Sequence, residues 1–205
     1  MYTCASCQIH ACEKGDRQDL PKNCPMRKDG YPDEIAREYD RDEDSRFYIE
    51  STKIESRGYG QWTRMREVVE FAKAMGYSKL GVAFCAGLKQ EGKLACDVLR
   101  KHGFEVVSVI CKNGGISKER VGIGEDEKVH PGQYEPMCNP IGQARLMNEQ
   151  HTQFNIVIGL CVGHDSLFYK YSEAPVTTLV TKDRVLAHNP VGALYCSGSY
   201  YRNKL

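Results

Sequence analysis

The sequence predicts an α/β domain built on a small parallel sheet, preceded by a segment that uses four cysteines to bind metal. Three observations predict it. After Gly60, short runs rich in Val, Ile and Phe alternate with segments of helical period. Four of the first 24 residues are cysteines, and a charged stretch with few apolar positions lies between the two regions. Strands that alternate with helices pair in parallel and bury both sheet faces under those helices.

The elements follow in order. WTRMREVVEFAKAMG places Trp62, Met65, Val68, Val69 and Ala72 at helical spacing and stops at Gly76, a residue suited to a helix C-cap. KLGVAFC (79–85) reads as a buried strand, and residues 86–103 as a helix ending in Gly103. FEVVSVIC (104–111) is the second strand. Residues 112–140 form a long Gly-rich excursion with little periodicity, and a connection of that length in a compact domain is usually functional. IGQARLMNEQH is a helix, FNIVIGLC (154–161) the third strand, GHDSLFYKYS a short helix and PVTTLVT (175–181) the fourth strand. The expected order of about four strands is 2-1-3-4, with helices on both faces. That order places a switch point, where open α/β sheets hold their ligands, between the first and third strands.

Three regions result: a Cys4 metal-binding segment (1–32), a charged helical connector (33–60) and the α/β domain (61–205). The first has no hydrophobic period. In the second, Ile35, Tyr39, Phe47, Ile49 and Ile54 are the sparse apolar positions of one or two solvated helices.

Charge excludes some functions. With 28 basic and 27 acidic side chains in 205 residues, no net field attracts nucleic acid or an acidic membrane. The polar start MYTCASCQIHACEKG is not a signal peptide, and no apolar run approaches the roughly 18 residues of a membrane helix. A soluble cytoplasmic protein is expected. Ten cysteines in such a compartment point to metal or thiol chemistry instead of disulfides.

Cys4, Cys7, Cys12 and Cys24 follow the spacing C-x2-C-x4-C-x11-C, with Pro25 after the last. A C-x-x-C pair brings two thiolates to one ion, and two more complete a tetrahedral sulfur set for zinc or an iron–sulfur cluster. The single C-x-x-C, the uneven spacing and the terminal Cys-Pro lean towards a cluster of the 4Fe-4S kind. His10 lies among these ligands and could replace one.

A second constellation is spread along the chain. Cys85, Cys111 and Cys161 each end an expected strand, and Cys138 ends the excursion. All strand C-termini of a parallel sheet share one edge, so the four should converge there. A second iron–sulfur cluster on Cys111, Cys138 and Cys161 is expected, with Cys85 a fourth ligand or a reactive thiol. His164 and Asp165, on the first turn of the following helix, are the candidate catalytic groups. Asn113, Lys182, Asp183, Arg184 and His188 fall nearby.

The CASC…C…CP segment, the CNPIGQA and GLCVGHDSLF stretches and the ending APVTTLVTKDRVLAHNPVGALY resemble a prokaryotic family of uncharacterised metal-binding proteins. That resemblance covers nearly the whole chain. It implies Cys4, Cys7, Cys12 and Cys24 as ligands, proposed for zinc, and implies no reaction.

The functional expectation is an iron–sulfur redox or sulfur-handling enzyme acting on a small molecule or with a redox partner protein. Its alternatives are a zinc-stabilised binding module and a thiol enzyme with Cys85 or Cys161 as nucleophile and His164 as base.

Overall fold

The computed structural model describes residues 1–205. The chain divides into two compact units, Met1–Arg57 and Gly58–Leu205. In the first, three 3-10 turns (Cys4–Ser6, Ala11–Lys14, Pro25–Arg27) are followed by helices α1 (Tyr31–Glu38) and α2 (Asp42–Gly58), the latter running just past the division. The turns have almost no apolar core, with only Ala11 and Leu20 buried among residues 1–30. Polar links bind them instead. The Arg27 guanidinium donates to the carbonyls of Leu20 (2.6 Å) and Pro21 (2.9 Å), and Asn23 bonds the Thr3 hydroxyl. Tyr39 and Tyr48 stack across the α1–α2 junction with ring centroids 4.9 Å apart.

The second unit contains α3 (Arg64–Ala74), β1 (Lys79–Phe84), α4 (Lys89–Lys101), β2 (Glu105–Ile110), α5 (Pro140–Glu149), β3 (Phe154–Ile158), α6 (His164–Tyr171), β4 (Val176–Val180) and the short α7 (Val191–Tyr195). The four strands form one parallel sheet in the order β2-β1-β3-β4, as the sequence predicts. Alternation along β1 sorts the helices by face. Phe84 packs against Gly92 of α4, while the opposite-facing Gly81 lies under Met147 of α5. Phe154, which pairs in register with Leu80, packs at a tilt against Phe71 of α3, ring centroids 5.4 Å apart. So α3 and α4 cover one face, and α5 covers the other. The core between them includes Leu80, Val82, Leu99, Met147, Ile156, Ile158 and Phe168.

Every strand is shorter than its apolar run, and each cysteine lies just beyond the ladder. Cys85 and Cys111 follow their strands by one residue. Cys161 follows by three, because Gly159 takes φ +62° and turns the chain out of β3. A side chain at Gly159 would also meet Leu88 Cδ1 at 2.3 Å, so only glycine suits both the turn and the packing.

The excursion between β2 and α5 is ordered. A bridge joins Ser117 to Pro136, and three 3-10 turns fill the loop. The Lys128 ammonium sits between Glu119 and Glu125, while Lys118 pairs with Glu135 at 2.5 Å. Charge satisfaction replaces an apolar core here, which is why periodicity gave no sign of this structure. No helix of the chain is long and apolar enough to cross a membrane.

Gly81 gives a test of the packing. A Cβ there would lie 2.0 Å from Asn155 Oδ1 and 2.7 Å from Met147 Sδ, and Asn155 is fully buried with its oxygen accepting from Thr152. Gly81→Ala should lower unfolding free energy by about 1–3 kcal/mol through overpacking, read from urea denaturation. An unchanged midpoint would show that the β1–β3–α5 contact is slack.

Candidate functional site

The ladder and its end turns bring the interior cysteines together. Cys85 N–H donates to the Ile158 carbonyl and Cys111 N–H to that of Phe84, which seats both residues at the C-terminal edge of the sheet. Cys138 returns to the same place through a pair of asparagines. Asn113 Nδ2 donates to the carbonyls of Ile110 (2.9 Å) and Asn139 (3.0 Å), and Asn139 Nδ2 donates back to Asn113 Oδ1 (3.0 Å). Asn139 Oδ1 then caps α5 by accepting from Gly142 N–H at 2.8 Å. Gly142 leaves the space these amides need, since a Cβ would stand 2.4 Å from both. Cys161 lies between β3 and α6, its carbonyl accepting from the N–H groups of His164 and Asp165.

One small cavity is lined by Cys85, Cys111, Cys138, Cys161, His164 and Gln143, closed by Pro140 and Leu160. The free space among them is about 10 Å³, room for one small atom. Convergence of the four cysteines is therefore a property of the fold. The expected second cluster would need the four side chains to draw apart, since they pack closely here. No three of the chain's His, Cys, Asp and Glu side chains close on a single point as an ion's ligands do.

Hydrogen bonds and cations surround the sulfurs. The thiols of Cys85, Cys111 and Cys138 lie side by side on the cavity wall. Lys182 Nζ donates to Cys85 Sγ at 3.3 Å, Ala86 N–H to Cys111 Sγ at 3.2 Å and Arg184 Nη2 to Cys161 Sγ at 3.0 Å. The Cys111 thiol, followed by the Gly87 N–H and Lys182, draws the Cys85 thiol down to about 4 against the opposing effect of burial. Cys138 is lowered by Cys111, then by the charges of Lys112 and His164. Cys111, between Cys138 and Cys85, is pushed up by both neighbours and by burial, and keeps its proton. The arrangement is thiolate, thiol, thiolate under basic side chains, the electrostatic setting of a reactive cysteine.

Lys182 and Arg184 come from a tight turn after β4. Asp183 Oδ1 accepts from the N–H groups of Val185 and Leu186, and His188 Nδ1 accepts from Asp183 N–H. Ala187 and His188 have positive φ, a strained backbone in non-glycine residues. The turn presents both cations to the sulfurs.

His164 reaches the pocket and its buried Nδ1 has no partner. Asp165 does not line it, and its carboxylate accepts from the adjacent Ser166 N–H at 2.8 Å. Gln143 and Lys112 were missed from sequence. For Gln143 the available signal was an amide within the apolar stripe of Pro140, Ala144 and Met147. Of the remaining cysteines, Cys96 is buried in α4 with its thiol pushed up by burial, and Cys196 lies just after α7.

In the N-terminal unit, Cys4, Cys7, Cys12 and Cys24 line one cavity of about 400 Å³, together with His10. His10 itself takes a left-handed backbone and pairs with Glu13 at 3.0 Å. The four cysteines thus share one open cavity, as residues that hold a single sulfur-ligated group would have to.

Comparison with known proteins gives two findings. A family model described as "Protein of unknown function (DUF1847)" matches residues 24–179. The match holds all four interior cysteines, Gln143 and His164, and leaves Cys4, Cys7, Cys12, Lys182 and Arg184 outside. The uncharacterized protein MJ0455 of Methanocaldococcus jannaschii is 45% identical over 202 residues, covering 98% of this chain and 97% of the relative.

The thiol arrangement sets a pH signature. With Cys85 lowered to about 4, its thiolate is fully formed above that value and lost below it. Iodoacetamide alkylation of Cys85 should be nearly flat between about pH 6 and 8. In Cys111→Ala, which removes the largest cause of the lowering, the rate should instead climb with pH across that range. A climbing rate in the unaltered protein would contradict the thiolate assignment.

Proposed function

Because the chain belongs to the DUF1847 family, whose function is unknown, its role has to be read from its own site, and we propose that it is a sulfur-handling redox enzyme. Cys85 is the nucleophile that attacks a sulfur–sulfur bond, and the four N-terminal cysteines hold an iron–sulfur cluster. The observation that carries the reading is Cys85 Sγ, 3.3 Å from the Lys182 ammonium and beside the Cys111 thiol, in a pocket walled by two further thiols.

Attack by the Cys85 thiolate forms a mixed disulfide, and the substrate's other sulfur leaves with the bonding electron pair. The Lys182 and Arg184 cations stabilise negative charge on sulfur at this edge. Cys111 stands beside Cys85 as the resolving thiol. Its attack on Cys85 Sγ, with its proton passing to the departing sulfur, releases the remaining half of the substrate. The substrate's sulfurs gain two electrons, and Cys85 and Cys111 become a disulfide that a small thiol or a redox partner protein reduces. His164, also on the pocket wall, is placed to exchange a proton with the leaving sulfur. A cluster in the N-terminal unit supplies single-electron chemistry when bound, and Cys4, Cys7, Cys12 and Cys24 are the residues that would hold it.

The test combines metal analysis with thiol reactivity on anaerobically purified full-length protein. Iron and acid-labile sulfide should be present in the amount of one cluster and should disappear in Cys4→Ser/Cys7→Ser, which keeps a fast-reacting Cys85. Cys85→Ser should lose that reactivity and the reduction of small-molecule disulfides while keeping the iron. One zinc and no iron would overturn the cluster. A metal equivalent lost in Cys138→Ala/Cys161→Ala would overturn the metal-free thiol centre and leave a single-ion site in its place.

A further inference from the structure

The thiol pocket contains an acceptor with no donor. Gln143 is wholly buried on α5, and its Nε2 donates to the carbonyls of Val109 (2.7 Å) and Phe84 (3.3 Å). These carbonyls fix the orientation of the amide, because an oxygen turned towards them would meet only acceptors. Oε1 is then left buried and unpartnered. Buried acceptors of this kind are rare and call for a specific explanation. Gln143 lines the same cavity as the four cysteines, so a group that enters this cavity with a hydrogen to donate can satisfy it.

The walls select the element and the charge. The cavity is lined by sulfur, which favours a polarizable occupant. Lys182 and Arg184 both point at sulfur, and neither forms an ion pair with a carboxylate. A protic sulfur that carries negative charge as it reacts meets these conditions.

We propose, resting on the reading of Cys85 as nucleophile, that the cavity receives the terminal sulfur of a persulfide, R–S–SH, with Gln143 Oε1 accepting its S–H. The Cys85 thiolate attacks that sulfur. The R–S bond to it breaks, RS⁻ leaves with the electron pair, and Cys85 carries –S–SH. Cys111 then attacks Cys85 Sγ and gives its proton to the departing hydrosulfide, so that hydrogen sulfide and a Cys85–Cys111 disulfide form. The transferred sulfur gains two electrons and the two cysteines lose two, and a single turnover needs no other oxidant or reductant.

Glutathione persulfide added in stoichiometric amount to the reduced, full-length protein under anaerobic conditions tests this, with mass spectrometry of the cysteines and trapping of released sulfide. The unaltered protein should release one equivalent of sulfide and end with Cys85 joined to Cys111. Cys111→Ser should stop earlier, with one added sulfur on Cys85. Gln143→Leu should capture sulfur about tenfold more slowly, the effect of one lost hydrogen bond, with iodoacetamide alkylation of Cys85 unchanged. Capture by Gln143→Leu at the full rate would overturn the role of Gln143 in the subsite, and if that variant does not fold, Cys111→Ser decides alone. Should Cys85 of Cys111→Ser react with iodoacetamide and small disulfides yet take no persulfide sulfur, this inference falls and the reading of Cys85 as a nucleophile stands. A Cys85 that reacts with none of these probes overturns both.

Discussion

Parallel pairing of β1 with β2 on one side and β3 on the other is the constraint on which the interior site depends. It forces all strand C-termini to one edge, so Cys85, Cys111 and Cys161 arrive together although 76 residues separate the first and last. The ladder fixes the spacing of their backbones, and the turns after each strand aim the side chains. Antiparallel pairing of any strand would carry its cysteine to the opposite edge.

Two devices convert this proximity into chemistry. The Asn113–Asn139 pair closes the excursion at its neck, so the loop's interior can be held by ion pairs while Cys138 is placed by amide hydrogen bonds. The Asp183 turn brings Lys182 and Arg184 over the sulfurs. A thiolate beside an ammonium and a thiol donor is far more populated near neutral pH than a free cysteine. Burial opposes this, and the donors outweigh it at Cys85 and Cys138 but not at Cys96, where the Arg100 charge and Ser108 are too little to offset it.

The two cysteine groups are built on opposite principles. In the N-terminal unit the thiols surround an open volume, and polar links with scarcely any apolar core hold the turns. At the sheet edge, close packing leaves space for one atom.

The sequence by itself determined the order of elements, the parallel sheet with its order 2-1-3-4 and the edge where the cysteines meet. These depend on hydrophobic period and on the handedness of crossover connections, both local properties of the chain. It placed His164 at the site too, through its position after β3. What only the tertiary structure decided is the character of that site. The contacts of Lys182 with Cys85 and of Gln143 with Val109 span 97 and 34 residues, and no local pattern encodes a pairing at such separation. Asp165 shows the converse, since its carboxylate turned to the neighbouring backbone once the helix formed. The close approach of the four thiols is set by how their loops pack. Packing is a sum over contacts that exist only after the chain has folded.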